Sequence, residues 1–167
     1  NSVLLTIMSD NGEVLHDEAR VVGLGKGLGD GGQFATDRML ATAKALQDYA
    51  TTAKSLGVEP KSVMAIATSA SRRASNAEAF YTDIANETGL RFRIISGDEE
   101  ARLTWAGVTS DVEQEGRLIA FDLGGGSTEV VIGSKGKLES RISLEIGSVR
   151  QTEAYLGYGR VTEEQLV

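Results

Sequence analysis

The spacing of apolar residues predicts strands and helices that alternate along most of the chain. Short apolar runs bounded by Gly, Asn or Asp are typical of strands, whereas apolar residues three or four positions apart are typical of amphipathic helices. The predicted strands cover residues 3–9, 13–22, 62–67, 92–95, 117–123, 128–134 and 137–145. The predicted helices cover residues 37–56, 76–88, 97–109 and 148–156. This order indicates an α/β fold in which helices flank a mixed sheet.

Capping residues predict where three of these helices begin. Thr36 stands at the start of the first helix, where its hydroxyl can accept a bond from a backbone amide. Ser75 with Glu78, and Ser96 with Glu99, have the Ser-x-x-Glu spacing of a capping box. We therefore expect these hydroxyl groups to cap the helices that follow them.

The element order suggests two copies of one βββα-type plan. Residues 1–115 are predicted to form a nearly complete first domain, and residues 116–167 the start of a duplicated second domain. The first copy's phosphate loop would end at Asn1 and Ser2, so the start of its first strand is expected to be absent. Residues 162–165 predict the start of another helix, and most of the second domain is expected beyond them.

Composition excludes several classes of protein. The 167 residues are 41% hydrophobic and 25% charged, with one proline, which is typical of a globular chain. A net charge of −7 argues against general binding of DNA, which requires a basic surface. The lack of cysteine excludes disulfides and thiolate metal sites and is compatible with a cytoplasmic location. No apolar run reaches the roughly 18 residues of a membrane span.

The most informative segment is Asp-Leu-Gly-Gly-Gly-Ser-Thr-Glu at residues 122–129, between two predicted strands. Glycines bring backbone amides close to an anion and allow positive φ angles, so the loop is a candidate phosphate site. Asp122 and Glu129 at its two ends suit a hydrated Mg²⁺, or Mn²⁺, between protein and phosphate. The alternative is a hairpin that needs glycines only to turn. The candidate phosphate ligands are Gly124, Gly125, Gly126, Ser127 and Thr128.

Two neighbouring glutamates are predicted to have different roles in the helix at 97–109. Acids in a first helical turn favour the helix dipole, so neither requires a catalytic explanation. With Ser96 as the cap, Glu99 occupies the third helical position and is the structural acid. Glu100 lies about 100° further round, on the face of Leu103 and Gly107, towards the packed side or a cleft. Glu100 is therefore the candidate general base.

A second candidate segment for phosphate binding follows the predicted strand at 62–67, and this one is basic. Residues 68–74 combine small hydroxyl side chains with Arg72 and Arg73. A guanidinium group matches phosphate geometry, although a solvated turn would have the same composition. The glycine-rich residues 23–32 lack the ending of a nucleotide-binding P-loop and are interpreted as a surface connection.

Three segments together resemble a known family. Residues 121–129, 95–103 and 68–76 are similar to the exopolyphosphatase/guanosine pentaphosphatase (Ppx/GppA) phosphatases of the actin-like ATPase (ASKHA) superfamily. The glycine loop is shared across that superfamily, whereas Ser-Gly-x-Glu-Glu-Ala-Arg-Leu is specific to the family. The resemblance implies the actin-like (ribonuclease H-like) fold and, for the complete protein, a homodimer.

The resemblance also implies roles for single residues. It makes Glu100 the group that activates water, and it assigns Mg²⁺ to Asp122 and Glu129. Arg72 matches a phosphate ligand, and Asn1-Ser2 matches the end of the family's first phosphate loop. One departure concerns the substrate: the family's frequent Thr-Arg is Val22-Gly23 here.

The expected activity is hydrolysis of a terminal phosphoanhydride in inorganic polyphosphate or guanosine pentaphosphate (pppGpp). The alternatives are an ATP-dependent sugar or acid kinase of the same superfamily and a non-catalytic module that senses a guanosine alarmone. We expect residues 1–167 alone to be catalytically silent and to self-associate.

Overall fold

The computed structural model describes residues 1–28, 32–110, 115–134, 136–157 and 159–163. The chain is mixed α/β and divides into two compact units, Asn1–Ile94 and Ile95–Val167. Each unit has a hydrophobic core of its own. Within the described ranges, no helix is long and apolar enough to cross a membrane.

The first unit contains two pairs of strands and its helices. Strands β1 and β2 are antiparallel, whereas β3 and β4 are parallel. The elements are β1 (Ser2–Met8), β2 (Val14–Val21), α1 (Thr36–Ser55), a 3-10 turn (Pro60–Ser62), β3 (Ala65–Ala67), α2 (Ser69–Arg73), α3 (Ala77–Thr88) and β4 (Phe92–Ile94). The described strands of this unit pair as β1-β2 and β3-β4.

Helix α1 organises the core of the first unit because two of its sides are apolar. Leu46 and Ala50 belong to the larger core, which also includes residues of α3. Tyr49 packs with Leu5 and Ile7 of β1, whose alternate side chains are buried. The Tyr49 hydroxyl lies 3.1 Å from the carbonyl oxygen of Val3 and can donate to it. These contacts hold the β1–β2 hairpin on the helix.

The second unit is a three-stranded antiparallel sheet with one long helix. The strand order is β5-β6-β7. The elements are α4 (Gly97–Thr109), β5 (Arg117–Leu123), β6 (Thr128–Ser134), β7 (Lys137–Leu144), α5 (Ser148–Gln151) and a π-helical turn (Thr152–Leu156). Ala101 and Trp105 of α4 pack on Ala120 and Val131 of the sheet. A Cβ on Gly133 would lie 2.5 Å from the Trp105 ring, so the indole lies directly against the strand.

The predicted elements are present, but several details were wrong. The short helix α2 was not predicted, and the helix predicted at 148–156 is α-helical only over its first turn. Thr36 and Ser75 cap no helix through their side chains. The Ser75 hydroxyl donates instead to the carbonyl oxygen of Gly32 at 3.2 Å. A tertiary contact has replaced the local cap. Of the helix start predicted at 162–165, the last two residues lie outside the described part.

The glycine-rich connection after β2 is partly core. Leu24 and Leu28 are buried, together with Val22. The interpretation of residues 23–32 as a surface connection was therefore wrong for Leu24 and Leu28; residues 29–31 lie outside the described ranges. The sequence predicted a boundary between residues 115 and 116, whereas the compact units divide after Ile94, so that α4 packs on the second sheet. The domain assignment itself stays a prediction.

Candidate functional site

The glycine loop in the second unit is a tight hairpin. Leu123 pairs with Thr128 in the β5–β6 ladder, so only residues 124–127 connect the strands. The Gly124 amide donates to the Ser127 carbonyl oxygen at 2.9 Å and closes the turn. The prediction of positive φ angles in the loop was wrong, because none of its three glycines has a positive φ. The glycines here serve close approach, since a Cβ on Gly124 would lie 3.1 Å from Ser127 O.

The loop retains backbone donors for an anion. In the described part of the chain, the amides of Gly125, Gly126 and Ser127 donate to no protein acceptor. The carbonyl oxygens of Gly124 and Gly125 accept hydrogen bonds from α5. Three successive amides without protein partners are the arrangement that a phosphate group requires. The hairpin and phosphate interpretations are therefore compatible in this loop.

Two carboxylates lie directly opposite each other at the base of the loop. Asp122 on β5 is paired in register with Glu129 on β6, and Glu129 with Ser143 on β7. Side chains of directly opposed residues lie on the same face of an antiparallel sheet. The Glu129 side chain is 1% exposed and accepts a hydrogen bond from the Ser143 hydroxyl at 2.7 Å. Asp122 is exposed. The cross-strand row of Asp122, Glu129 and Ser143 therefore has one buried acid and one accessible acid.

Helix α4 brings its acidic first turns to this row. The Ser96 hydroxyl accepts the amide of Glu99 at 3.1 Å, so the predicted N-cap is confirmed. The Thr104 hydroxyl donates to Asp122 Oδ2 at 3.2 Å. Glu100 precedes Thr104 by four residues and so lies on the same side of the helix. Leu103, on the face that was predicted to turn towards the packed side or a cleft, is 42% exposed.

An ion pair fixes the start of α4 on the sheet. The Arg141 guanidinium on β7 donates to both carboxylate oxygens of Asp98, with Nη2 to Oδ2 at 2.6 Å. These hydrogen bonds lower the pKa of Asp98, and the nearby charges of Arg141 and Arg102 act in the same direction. The same contact raises the pKa of Arg141. The orientation of the helix that includes Glu100 thus depends on Asp98.

In the first unit, two predicted phosphate segments line one cavity of about 420 Å³. Asn1 and Ser2 lie at its wall together with Thr68 and Ser71, from the segment that includes Arg72. Arg72 itself belongs to α2, because the backbone turns into a short helix directly after β3. The lining also includes apolar residues of β1, α1 and β3.

Arg38 is a basic residue that the sequence analysis missed. A Cβ on the buried Gly23 would lie 3.6 Å from Arg38 Nη1 and 3.7 Å from Asn1 Oδ1. Arg38 also pairs with Asp37 at 3.1 Å. The Arg38 guanidinium, in the first turn of α1, therefore lies beside Asn1, which was predicted to bind phosphate. Nothing in the local pattern indicates this, because the two residues are 37 positions apart.

The acids of the second unit suit a divalent cation only in part. In the described ranges, no group of three or more His, Cys, Asp and Glu side chains could hold a metal. Mg²⁺, however, is commonly bound by one or two carboxylates, with water and phosphate oxygens as the other ligands. Asp122 and Glu129 are two oxygen donors on one sheet face. The donor set fits a metal that is completed by water and substrate.

Comparison with known proteins agrees with these motifs. Residues 6–167 match the Ppx/GppA phosphatase family. This chain belongs to that family. Exopolyphosphatase 2 of Mycobacterium tuberculosis is 36% identical over 148 residues, 85% of this chain and 46% of that protein. The bifunctional 3-dehydroquinate synthase/phosphatase of Fusobacterium nucleatum is 33% identical over 143 residues, 84% of this chain and 22% of that protein.

Solved Ppx/GppA structures confirm the fold class. The family member from Aquifex aeolicus has a TM-score of 0.76 at 35% identity, over 99% of this chain and 54% of that one. An exopolyphosphatase from Cytophaga hutchinsonii has a TM-score of 0.86 at 30% identity, over 98% and 52%. The predicted α/β fold of actin-like type is confirmed. The chain spans about half the length of these solved relatives.

Proposed function

We propose that the protein containing this chain is an exopolyphosphatase that releases terminal phosphate from inorganic polyphosphate. The observation that supports it most is the loop at residues 124–127, where three successive amides lie beside two opposed carboxylates. Donors for phosphate oxygens and ligands for a cation are the two requirements of phosphoanhydride hydrolysis. The relative from Mycobacterium tuberculosis named above as an exopolyphosphatase supports the same substrate class.

Phosphate binding is proposed for two sets of residues. In the second unit, the loop from Gly124 to Thr128 binds the terminal phosphate through the amides of Gly125, Gly126 and Ser127, because the Gly124 amide already closes the turn. In the first unit, Asn1, Ser2 and Arg72 bind phosphate oxygens, with Arg38 as an added basic group beside Asn1. Arginine and backbone amides are suitable because both donate to several oxygens of one anion.

A cation is proposed for the carboxylates Asp122 and Glu129. A bound Mg²⁺ or Mn²⁺ would offset the charge of the phosphate oxygens. Ser143 holds Glu129 in place through its hydroxyl, and Thr104 does the same for Asp122. These two hydrogen bonds keep the acids on one face when substrate arrives.

Glu100 is proposed as the group that orients the attacking water and takes its proton. The water oxygen forms a bond to the terminal phosphorus while the bond to the bridging oxygen breaks. The electron pair of that bond leaves with the shortened polyphosphate. A carboxylate acting as general base typically contributes about 10²–10⁴-fold to the rate.

Guanosine pentaphosphate presents a similar terminal phosphate and is proposed as a second substrate. The cytoplasmic location and the homodimer of the complete protein also remain proposals from the resemblance. The test is phosphate release by the full-length protein, with Mg²⁺, from long-chain polyphosphate and from pppGpp in parallel. Transfer to an acceptor with formation of ADP from ATP would instead identify a kinase. Tight binding of pppGpp without turnover would identify a sensor module.

A further inference from the structure

The short helix α5 begins against the glycine loop, and its first amides donate to loop carbonyl oxygens. These bonds run from Ser148 N to Gly124 O at 3.0 Å, from Val149 N to Gly125 O at 2.9 Å, and from Arg150 N to Gly125 O at 3.1 Å. The amides at a helix start have no partner within the helix and normally require a cap. Here the glycine loop is that cap. We call residues 147–150 the loop clamp.

Gly147 at the start of the loop clamp touches the loop backbone. A Cβ at this position would lie 2.5 Å from the carbonyl oxygen of Gly125, and closer still to the neighbouring backbone atoms of Gly125 and Gly126. The φ of Gly147 is −144°, which any residue can adopt. The requirement for glycine is therefore one of space, and any side chain here must displace the loop.

The clamp determines where the loop amides point. In a trans peptide, the carbonyl oxygen and the following amide hydrogen point in opposite directions. Because the Gly124 oxygen is directed at α5, the amide of Gly125 must point away from α5. The same argument directs the amide of Gly126, since the Gly125 oxygen is also bound by α5. These are two of the three loop amides without a protein acceptor in the described chain.

The clamp is itself anchored on both sides. The Thr128 hydroxyl, at the end of the loop, donates to the carbonyl oxygen of Ile146 at 2.5 Å. The Arg150 guanidinium donates to the carbonyl oxygen of Glu145 at 2.8 Å and pairs with the carboxylate of that residue at 3.3 Å. A movement of the connection between β7 and α5 would therefore break the hydrogen bond from Thr128 and the contacts between Arg150 and Glu145.

We propose that the loop clamp is a positioning element that aims the amides of Gly125 and Gly126 at the substrate phosphate. Gly147 and Ser148 are its decisive residues: Gly147 because nothing larger fits, and Ser148 because its amide holds the Gly124 carbonyl group. The proposal rests on the proposed function of the loop as a phosphate site. It adds residues outside the loop that control phosphate affinity without contacting phosphate.

Two substitutions in the full-length protein test the clamp. Gly147→Ala pushes the loop away. Ser148→Pro removes the amide that holds Gly124, at the first helical position, where proline is tolerated. Gly147, with φ −144° and ψ 158°, already has the extended backbone that a residue before proline adopts. Ser148→Ala is the matched comparison for Ser148→Pro, because it keeps the amide and removes only the hydroxyl, which also donates to Gly124 O at 3.3 Å. Gly159→Ala is the control for Gly147→Ala, since nothing lies within 4 Å of its added methyl group.

The readouts are kcat/KM for polyphosphate, the affinity for inorganic phosphate by calorimetry, and far-UV circular dichroism. We expect Gly147→Ala and Ser148→Pro to fold, to bind inorganic phosphate at least tenfold more weakly, and to lose about 10²-fold in kcat/KM. Gly159→Ala should stay within about threefold of the wild type, and Ser148→Ala, which keeps the amide, should lose less than Ser148→Pro in both measurements.

Three results separate the possibilities. Wild-type phosphate affinity and kcat/KM in a folded Gly147→Ala or Ser148→Pro variant would overturn the clamp. Failure of both variants to fold would overturn it as well, because the contact would then be purely structural. A wild-type protein that binds inorganic phosphate but releases none from polyphosphate would refute the proposed function alone; the affinity comparison would still decide the clamp.

Discussion

The Thr104 hydroxyl donates a hydrogen bond to Asp122 Oδ2 at 3.2 Å. This bond joins helix α4 to the end of strand β5 that leads into the glycine loop. Glu100 lies one helical turn before Thr104 on the same side of the helix. The candidate base and a candidate metal ligand are therefore on two elements that are connected by a side-chain contact. A shift of α4 would alter both at once.

Glu100→Gln in the full-length protein should lower kcat about 10²-fold or more with little change in substrate binding. The amide keeps the shape of the side chain but cannot take a proton from water. Steady-state kinetics and a binding assay separate the two effects. Glu99→Gln is the control and should mainly reduce stability, because Glu99 lies at the capped start of α4. Loss of turnover in a folded Glu99→Gln protein, with an active Glu100→Gln protein, would reverse the assignment.

Asp122→Asn should raise the Mg²⁺ concentration needed for half-maximal phosphate release. The substitution removes the charge of the accessible acid while leaving its size unchanged. Thr104→Val is the matched control, since it removes only the hydrogen bond to Asp122 and should cause a smaller increase. Activity is measured across a Mg²⁺ titration. Undiminished hydrolysis in excess chelator would remove the metal from the mechanism.

Ser143→Ala should destabilise the protein by about 1–3 kcal/mol, since it leaves a buried acceptor without its donor. Glu129 is 1% exposed, and water cannot easily replace the lost bond. Urea unfolding gives the free energy of unfolding. Ser140→Ala on the same strand is the control because Ser140 is exposed. Equal stability of the two variants would show that Ser143 does not support Glu129.

Asp98 should make stability pH-dependent in acid. Its pKa is lowered in the folded state, chiefly by the hydrogen bonds from Arg141, so the folded state binds the proton less tightly than the unfolded state. The stabilisation is complete above the unfolded pKa of about 3.9 and is lost as the pH falls through the lower folded pKa.

The test for Asp98 is thermal unfolding from pH 7 down to acid. Asp98→Asn should lower the melting temperature near neutral pH and flatten its decrease in acid. Asp10→Asn, at an exposed turn, is the control and should leave the profile unchanged. A wild-type acid profile in Asp98→Asn would exclude this ion pair as a source of the pH dependence.

The sheet face opposite α4 should promote self-association of residues 1–167. Ile119, Phe121 and Leu123 are 54%, 70% and 69% exposed on one side of β5. A contiguous apolar face of this kind favours association. Phe121→Ser should reduce light scattering, whereas Leu40→Ser, at an exposed position in α1, should not. A monomeric wild-type chain, or equal scattering by the two variants, would contradict this expectation.

Elements with a local sequence pattern could be predicted from the amino-acid sequence alone. The predicted bounds 97–109, 117–123 and 128–134 coincide with α4, β5 and β6. The Ser96 cap was also correct, because a capping hydroxyl and its amide are only three residues apart and the contact needs no distant residue. The glycine loop and its flanking acids could be found for the same reason.

The remaining features depend on contacts between residues that are far apart in the sequence, so they could not be predicted from local patterns. The Ser75 hydroxyl donates to the carbonyl oxygen of Gly32 and does not cap the helix as predicted. Arg38 lies beside Asn1 because of the position of α1. The orientation of the loop amides depends on Gly147, 21 positions after Gly126. Such contacts arise from close packing and, for Gly147, from the register of β5, β6 and β7, and neither is encoded in the periodicity of a single segment.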